Sequence, residues 1–228
     1  MTHSPKSPYE LANVARYLAS TSEDTRPWLI LGKGPSFAHL GPPMTESARL
    51  PGHLGGHCGV THVDEGVLDL LIQDHGVRSL LDVGCGPGGV LRQARQRGLR
   101  VLGVDGDPSV SRSDVPVLVH DYTRGPLHLA RRFDLAWSVE FLEHVEERYQ
   151  ENYMATFASA DRVFCTAAPP GKPGHHHVNC RDQDYWLGVF AAYGWEFEPE
   201  LTRRLRRAST MRREFVQESG MAFVRPRA

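Results

Sequence analysis

The sequence has no long apolar run, no excess of one charge and few lysines. Its apolar stretches, such as residues 28–31, are strand-sized, whereas a membrane helix needs roughly 20 apolar residues. The 26 basic residues face 27 acidic ones, and nucleic-acid-binding proteins usually carry a basic excess. The only lysines are Lys6, Lys33 and Lys172. We therefore expect neither a membrane nor a nucleic acid as partner.

Cysteine is also scarce, and its spacing is uninformative. Four cysteines at positions 58, 85, 165 and 180 form no Cys-x-x-Cys pair, so nothing supports a zinc ribbon. Near the start of the chain, Lys6 is not followed by the apolar segment of a secretory signal. Reduced thiols and no signal lead us to expect a cytoplasmic protein.

The chain divides into two parts by composition. Residues 1–60 are rich in Pro, Gly and Ser, and predict an N-terminal extension or cap with a helix at 7–19 and a short strand at 28–31. Residues 61–228 predict one regular domain, in which apolar strand-sized runs alternate with helical patterns. Buried parallel strands covered by helices on both faces produce this pattern. The expected strands lie at 79–83, 100–104, 115–119, 133–138, 162–167, 195–197 and 221–224. The expected helices lie at 63–74, 90–97, 146–159, 182–192 and 212–218.

A glycine-rich turn follows the first of these strands. Residues 80–89 read Leu-Leu-Asp-Val-Gly-Cys-Gly-Pro-Gly-Gly. Gly84, Gly86 and Gly89 satisfy the dinucleotide-binding spacing, and Asp105 follows at about the 20 residues expected for a ribose-binding acid. On this pattern alone, an NAD(P)-dependent oxidoreductase stays open.

Two further acids favour a different ligand. Asp82 lies in the strand before the turn, where a carboxylate suits a cationic or amino group better than a pyrophosphate. Asp121 follows the third strand, where an acid can bind an adenine amino group, although a turn or helix cap is the alternative. Acids at three successive strand ends, with Asp105 as the middle one, describe a cationic ligand that carries adenosine.

Four segments in order resemble the motifs of class I S-adenosylmethionine-dependent methyltransferases of the small-molecule type. They are residues 82–88, 103–107, 120–122 and 133–145, the last containing Leu-Glu-His-Val. The resemblance implies a Rossmann-like, seven-stranded, mainly parallel sheet and S-adenosylmethionine as cofactor. The cofactor-binding residues that it implies are Asp82, Gly84, Cys85, Gly86, Asp105, Gly106, Asp121, Tyr122 and Glu140.

Histidines near the fourth and fifth strands are the candidates for catalysis, since histidine is the usual base at neutral pH. We predict His144, His175, His176 and Glu140 as catalytic residues, and assign no metal. For the loop at 169–180 three interpretations stay open: a histidine base or orienting group, a metal site with Asp121, Glu140 or Glu143, and a polar loop.

Three further expectations concern the surroundings of this site. Glu140 and His144 are spaced to share a helix face. Residues 50–61 are expected to fold over the cofactor as a lid. The arginines between 203 and 213 either bind an anionic acceptor or form a solvated surface balanced by glutamates.

The predicted function is methyl transfer to oxygen, and in second place nitrogen, of a small molecule such as a sugar or secondary metabolite. The chain lacks the Asn/Asp-Pro-Pro-Tyr/Phe segment of amino-methylating enzymes after the fourth strand. A protein that binds S-adenosylmethionine without turnover is the other alternative. A homodimer is left open.

Overall fold

The computed structural model describes residues 50–226. The helix expected at 7–19 and the strand expected at 28–31 lie outside this part. Of the helices in the described part, none is long and apolar enough to cross a membrane.

Within residues 50–226, seven strands form one sheet. They are β1 Ser79–Val83, β2 Arg100–Asp105, β3 Val117–Val119, β4 Phe133–Ser138, β5 Ala160–Cys165, β6 Glu196–Phe197 and β7 Met221–Val224. Their order is β3-β2-β1-β4-β5-β7-β6. Strands β1 to β5 are parallel to one another, and β7 is antiparallel to β5 and β6. The chain order reverses between β1 and β4, and ligands of such sheets bind beyond the carboxyl ends of the strands at this point.

Six α-helices accompany the strands in the described part of the chain. They are α1 Glu65–His75, α2 Gly89–Gln96, α3 Gln150–Phe157, α4 Gln183–Ala192, α5 Pro199–Ala208 and α6 Phe215–Ser219. Helix α1 begins where the Asp64 side chain accepts from Val67 N and ends at left-handed Gly76, which are the usual start and stop signals. Asp182 caps α4 in the same way.

The helices cover both faces of the sheet, as predicted. On one face α3 and α4 bury aromatic side chains, and the Phe190 ring stacks on Phe223 with 4.0 Å between centroids. On the other face α1, α2 and α5 pack Leu68, Leu91 and Leu205 against the strands. Two hydrophobic layers therefore hold the sheet rigid beneath the strand ends.

Two predictions at the local level are wrong. Glu140 has a left-handed φ of 55° and lies outside any helix, so it shares no helix face with His144, which ends the 3₁₀ turn Leu142–His144. A left-handed residue stops helix propagation directly after β4. The helix α5 was missed because its arginines were interpreted either as a site for an anionic acceptor or as a solvated surface, and no helix was predicted there. In the structure Arg203 pairs with Glu200, and Arg204 pairs with Asp74.

Candidate functional site

A cleft of about 410 Å³ opens at the carboxyl ends of the parallel strands, a volume typical of small-molecule sites. Its walls come from the turn after β1, the ends of β2 and β4, and the loops after β3 and β5. Every residue predicted as catalytic or cofactor-binding lines it. The topology therefore gathers into one cavity residues that are up to 94 positions apart, from Asp82 to His176.

The glycine-rich turn is fixed by a carboxylate from the neighbouring strand. Asp105, at the end of β2, accepts from Gly86 N at 2.7 Å and from Asp107 N at 2.9 Å. Gly84 and Gly86 have left-handed φ values of 79° and 49°, which glycine adopts without steric cost. The turn thus presents backbone to the cleft. Burial raises the pKa of Asp105, while these backbone hydrogen bonds oppose the rise.

Asp82 is the buried acid of this site. It is only 3% exposed, and its Oδ2 has no hydrogen-bond partner among the described residues. Burial, and then the charge of Asp105, raise the pKa of Asp82 well above its usual range. A buried acceptor without a partner is costly, and Asp82 borders the cleft. A ligand that offers an N–H donor there would satisfy it.

Residues 50–61 lie against the strand ends and close one side of the cleft. His53 Nε2 lies 3.1 Å from Asp121 Oδ2, and His57 Nε2 lies 3.1 Å from Asp107 Oδ2. A β-carbon on Gly106 would come within 2.5 Å of Leu54 Cδ2, so this segment sits directly on the end of β2. The contacts agree with the expected covering position of residues 50–61.

The residues after β3 make hydrogen bonds that stabilise the fold. Asp121 caps the 3₁₀ turn Tyr122–Arg124: its Oδ1 accepts from the Thr123 backbone and hydroxyl. The Tyr122 hydroxyl donates to Thr156 Oγ1 in the core, and burial raises the pKa of Tyr122. Asp121 therefore caps a turn and also borders the cleft. Tyr122 lines the cleft although it is almost fully buried.

The side chain of Cys85 likewise points into the core. A β-carbon on Gly103 would come within 2.6 Å of Cys85 Sγ, and Cys85 belongs to the hydrophobic cluster beneath α2. Its backbone is the part of Cys85 that a ligand in the cleft could meet.

Glu140 is held by Thr166, a residue that the sequence analysis did not select. The Thr166 hydroxyl accepts from Glu140 N at 2.8 Å and donates to Glu140 Oε1 at 3.0 Å. One buried hydroxyl thus fixes both the left-handed backbone and the carboxylate. Burial is the main reason that the pKa of Glu140 is raised. Strained residues of this kind concentrate at functional sites.

His144 and His177 meet beside Glu140, with 4.9 Å between ring centroids. His144 Nδ1 donates to the His175 carbonyl at 2.7 Å, and His177 Nδ1 donates to the Lys172 carbonyl at 2.9 Å. Burial lowers the pKa of His144 to about 4, so its ring is neutral at pH 7. The Nε2 atom of His144 therefore keeps a lone pair.

Glu143 completes this group and was only an alternative in the sequence analysis. Its side chain is 0% exposed, and neither carboxylate oxygen accepts a hydrogen bond from a donor among the described residues, although the Glu140 carboxyl group lies close enough to share a proton with it. The backbone N–H groups of Glu143 and Ala168 lie near this carboxyl group and act to lower its pKa, although neither forms a well-oriented hydrogen bond with it. Burial and then the Glu140 charge raise its pKa well above the usual range.

His175 and His176 lie on the loop that covers this group. The His175 ring packs where a β-carbon of Gly56 would be, at 2.8 Å from Cδ2. His176 has a left-handed φ of 47°, and its ring centroid lies 6.1 Å from that of His53. Of the three adjacent histidines, only His177 turns toward Glu143 and His144.

The residues of the cleft that were not selected from the sequence carry only weak local signals. Thr166 directly follows the buried strand β5, so its sequence context resembles that of a core residue. Glu143 resembles an acidic residue in the first turn of a helix. From the sequence, His177 could not be distinguished from His175 and His176, and only the conformation of the loop shows that the three side chains point in different directions. Among the clustered C-terminal arginines, Arg213 is the one that borders the cleft.

The cleft fits the cofactor that the motifs imply. The unpartnered oxygen of Asp82 suits an amino group, the glycine-rich turn gives a backbone cradle, and Asp105 keeps lone pairs for hydroxyl donors. Fold and site together define a class I S-adenosylmethionine-dependent methyltransferase, with S-adenosylmethionine as its cofactor.

The chain belongs to the methyltransferase-domain family, whose model matches residues 60–215. No curated protein matches its sequence. Magnesium protoporphyrin IX methyltransferase from Synechocystis PCC 6803, solved with bound SAH, is a structural neighbour at 16% identity and a TM-score of 0.52. The alignment covers 71% of this chain and 81% of that one.

A second solved structure has a similar fold. The TehB-like SAM-dependent methyltransferase from Corynebacterium glutamicum is 22% identical, with a TM-score of 0.51 and coverage of 71% of this chain and 88% of that one. At these identities the two neighbours support the fold. The family match is what decides between the methyltransferase and oxidoreductase interpretations of the glycine-rich turn.

Proposed function

We propose that this methyltransferase acts on a hydroxyl oxygen of a small molecule. The observation that carries the proposal is the pair of Glu140 and His144 at one end of the cleft, both half-buried, with a lone pair on His144 Nε2. A hydroxyl must lose its proton to become a strong nucleophile, whereas an amine needs less help. The absence of an Asn/Asp-Pro-Pro segment after β4 supports oxygen over nitrogen.

The cofactor would be held at the other end of the cleft. We assign Asp82 to its amino group, Gly84, Cys85 and Gly86 to backbone contact, and Asp105 with Gly106 to its ribose. Asp121 and the Tyr122 ring would border the adenine, and Glu140 would lie between cofactor and acceptor. The free oxygen of Asp82 and the exposed backbone of the turn support these assignments.

When bound, the cofactor supplies an electrophilic methyl on a sulfonium that leaves as a neutral thioether. The residues of this chain orient the acceptor, exclude water and take up its proton. Glu140 is held ready by Thr166 to accept a hydrogen bond from the acceptor hydroxyl. His144 is fixed with Nε2 as its acceptor atom. His175 and His176 would cover the acceptor.

We also propose a division of the chain into two parts. Residues 61–228 would form the methyltransferase domain, and residues 1–60 an extension that covers it. The contacts of His53 and His57 with Asp121 and Asp107 support this role for the described end of the extension.

The test of the proposed function is an acceptor screen. The protein is incubated with isotopically labelled S-adenosylmethionine and two panels of small molecules, one with hydroxyl groups and one with amines, and mass spectrometry locates the label. We expect label on hydroxyl oxygen. Label on amines alone would contradict the proposal, and S-adenosylhomocysteine binding without any product would favour a non-catalytic binding protein.

Replacing Thr166 by valine should slow methyl transfer while the fold persists. Valine keeps the volume but leaves the Glu140 N–H unpaired and its carboxylate unrestrained, which costs about 1–3 kcal/mol of stability. We expect kcat to fall at least tenfold with little change in cofactor affinity, measured by steady-state kinetics and calorimetry.

Thr202→Val is the matched control for this variant. Thr202 is also buried and accepts a backbone N–H, that of Ala222 at 3.0 Å, and it does not line the cleft. It should lose similar stability in chemical unfolding without the drop in kcat. Equal kinetic losses in both variants would mean that Thr166 matters only for folding.

A further inference from the structure

We propose that Glu143, His144 and His177 bind one divalent transition-metal cation at the acceptor end of the cleft. Each residue contributes one ligand atom, and the three atoms lie within 4.8 Å of one another. Small side-chain rotations bring atoms at this separation to the bond length of about 2.0–2.2 Å that such cations adopt with imidazole and carboxylate. This inference rests on the proposed function and refines it.

The hydrogen bonds of the two histidines prepare them as ligands. A backbone carbonyl can only accept, so the contacts to the His175 and Lys172 carbonyls fix the proton of each ring on Nδ1. Metal-binding histidines nearly always donate their other N–H in this way. In the neutral form each ring then keeps its lone pair on Nε2, and the two ring centroids lie 4.9 Å apart.

Glu143 provides the second, independent observation. A carboxylate with 0% exposure that accepts no hydrogen bond from a donor among the described residues is unfavourable. The carboxylate of Glu140 nearby adds further negative charge. The nearby ammonium of Lys172 is paired with Glu218 at 2.8 Å. A cation between Glu143 and the imidazoles would compensate the negative charge that the Glu140–Glu143 pair carries when it is ionised.

The backbone holds the three ligands together. The carbonyl of Glu143 accepts from the N–H groups of Val178 and Asn179, both at 3.0 Å. The loop that carries His177 is thereby attached to the turn that carries Glu143 and His144. The two segments are separated by about 30 residues in sequence, and these hydrogen bonds set their relative position.

The donor set indicates the kind of cation. Two imidazoles and one carboxylate suit Mn²⁺, Fe²⁺, Co²⁺ or Zn²⁺, whereas Mg²⁺ and Ca²⁺ prefer oxygen ligands. Three protein ligands leave coordination positions open. A cation there acts as a Lewis acid and lowers the pKa of a hydroxyl in contact with it. With its Nε2 on the cation, His144 would not take up the proton of the acceptor hydroxyl, which would pass instead to the Glu140 carboxylate beside it.

The test is calorimetric titration of the untagged, chelator-treated full chain with Mn²⁺, Co²⁺, Zn²⁺ and Mg²⁺. We expect one equivalent of a transition metal to bind, more tightly than Mg²⁺. His144→Ala, His177→Ala and Glu143→Gln should each weaken its affinity at least tenfold. His128→Gln and Glu151→Gln remove an exposed histidine and an exposed glutamate elsewhere, and should bind the metal like wild type.

Two outcomes would overturn the inference: no binding at millimolar metal, or losses in the two histidine variants no larger than in the controls. Titration with S-adenosylhomocysteine checks that each variant is folded. If Glu143→Gln does not fold, the metal affinities of the two histidine variants test the inference. Hydroxyl methylation without metal binding would contradict this inference alone. Metal binding with methylation only of amines would contradict the proposed function alone.

Discussion

Asp105→Ala is expected to lower the affinity for S-adenosylhomocysteine about a hundredfold, which corresponds to about 2.7 kcal/mol. The carboxylate accepts from the N–H groups of Gly86 and Asp107, and hydrogen bonds to a charged group contribute about 1.5–3 kcal/mol each. Its removal releases the glycine-rich turn and takes away the proposed acceptor of the ribose hydroxyls. Calorimetric titration measures the loss.

Asp114→Ala is the matched control. Asp114 is exposed and pairs with Arg92 at 2.8 Å on the surface, and such pairs contribute about 0–1 kcal/mol. The control should bind S-adenosylhomocysteine within about twofold of wild type, since such surface changes stay within about 0.5 kcal/mol. NADH, titrated in parallel, should not bind either protein. Unchanged affinity in Asp105→Ala would show that the ribose assignment is wrong.

Gly84→Ala is expected to destabilise the fold strongly. At a φ of 79° a β-carbon costs about 1–2 kcal/mol. That β-carbon would also lie 2.5 Å from Phe141 Cδ2, and overpacking of this kind adds about 1–3 kcal/mol. Chemical denaturation should show both contributions, and the displaced Phe141 ring should also reduce cofactor binding.

Gly98→Ala is the control that separates the cost of the left-handed backbone from the cost of the contact with Phe141. Gly98 has a φ of 82°, almost the same as Gly84, but a β-carbon there has nothing within 4 Å. It should cost about 1–2 kcal/mol from the backbone alone and leave cofactor binding unchanged. If the two variants lose the same stability, the close contact with Phe141 does not constrain the turn.

Much of the fold could be predicted because its signals are local. The strands β1 and β4 were predicted with their observed bounds, since each is a short apolar run between polar segments. Helix α1 was predicted from its periodicity and Gly76. Helix α3 begins later than expected, because the 3₁₀ turn Glu147–Tyr149 occupies its predicted first residues.

The sequence by itself determined the class of this protein. Asp82, the glycine-rich turn and Asp105 form a pattern within about 25 residues, so strand, turn and helix geometry are enough to place them together. The family match and the sheet order confirm the predicted superfamily, fold and cofactor.

Only the tertiary structure decided which residues meet at the acceptor end of the cleft. Glu143, Thr166 and His177 come from separate segments: Glu143 was one of three alternative ligands, Thr166 was not selected, and the sequence did not distinguish His177 from its two neighbours. Their meeting depends on the pairing of β4 with β5 and on the hydrogen bonds from Val178 and Asn179 to the Glu143 carbonyl. Contacts of this kind are long-range, so no local pattern of residues encodes them.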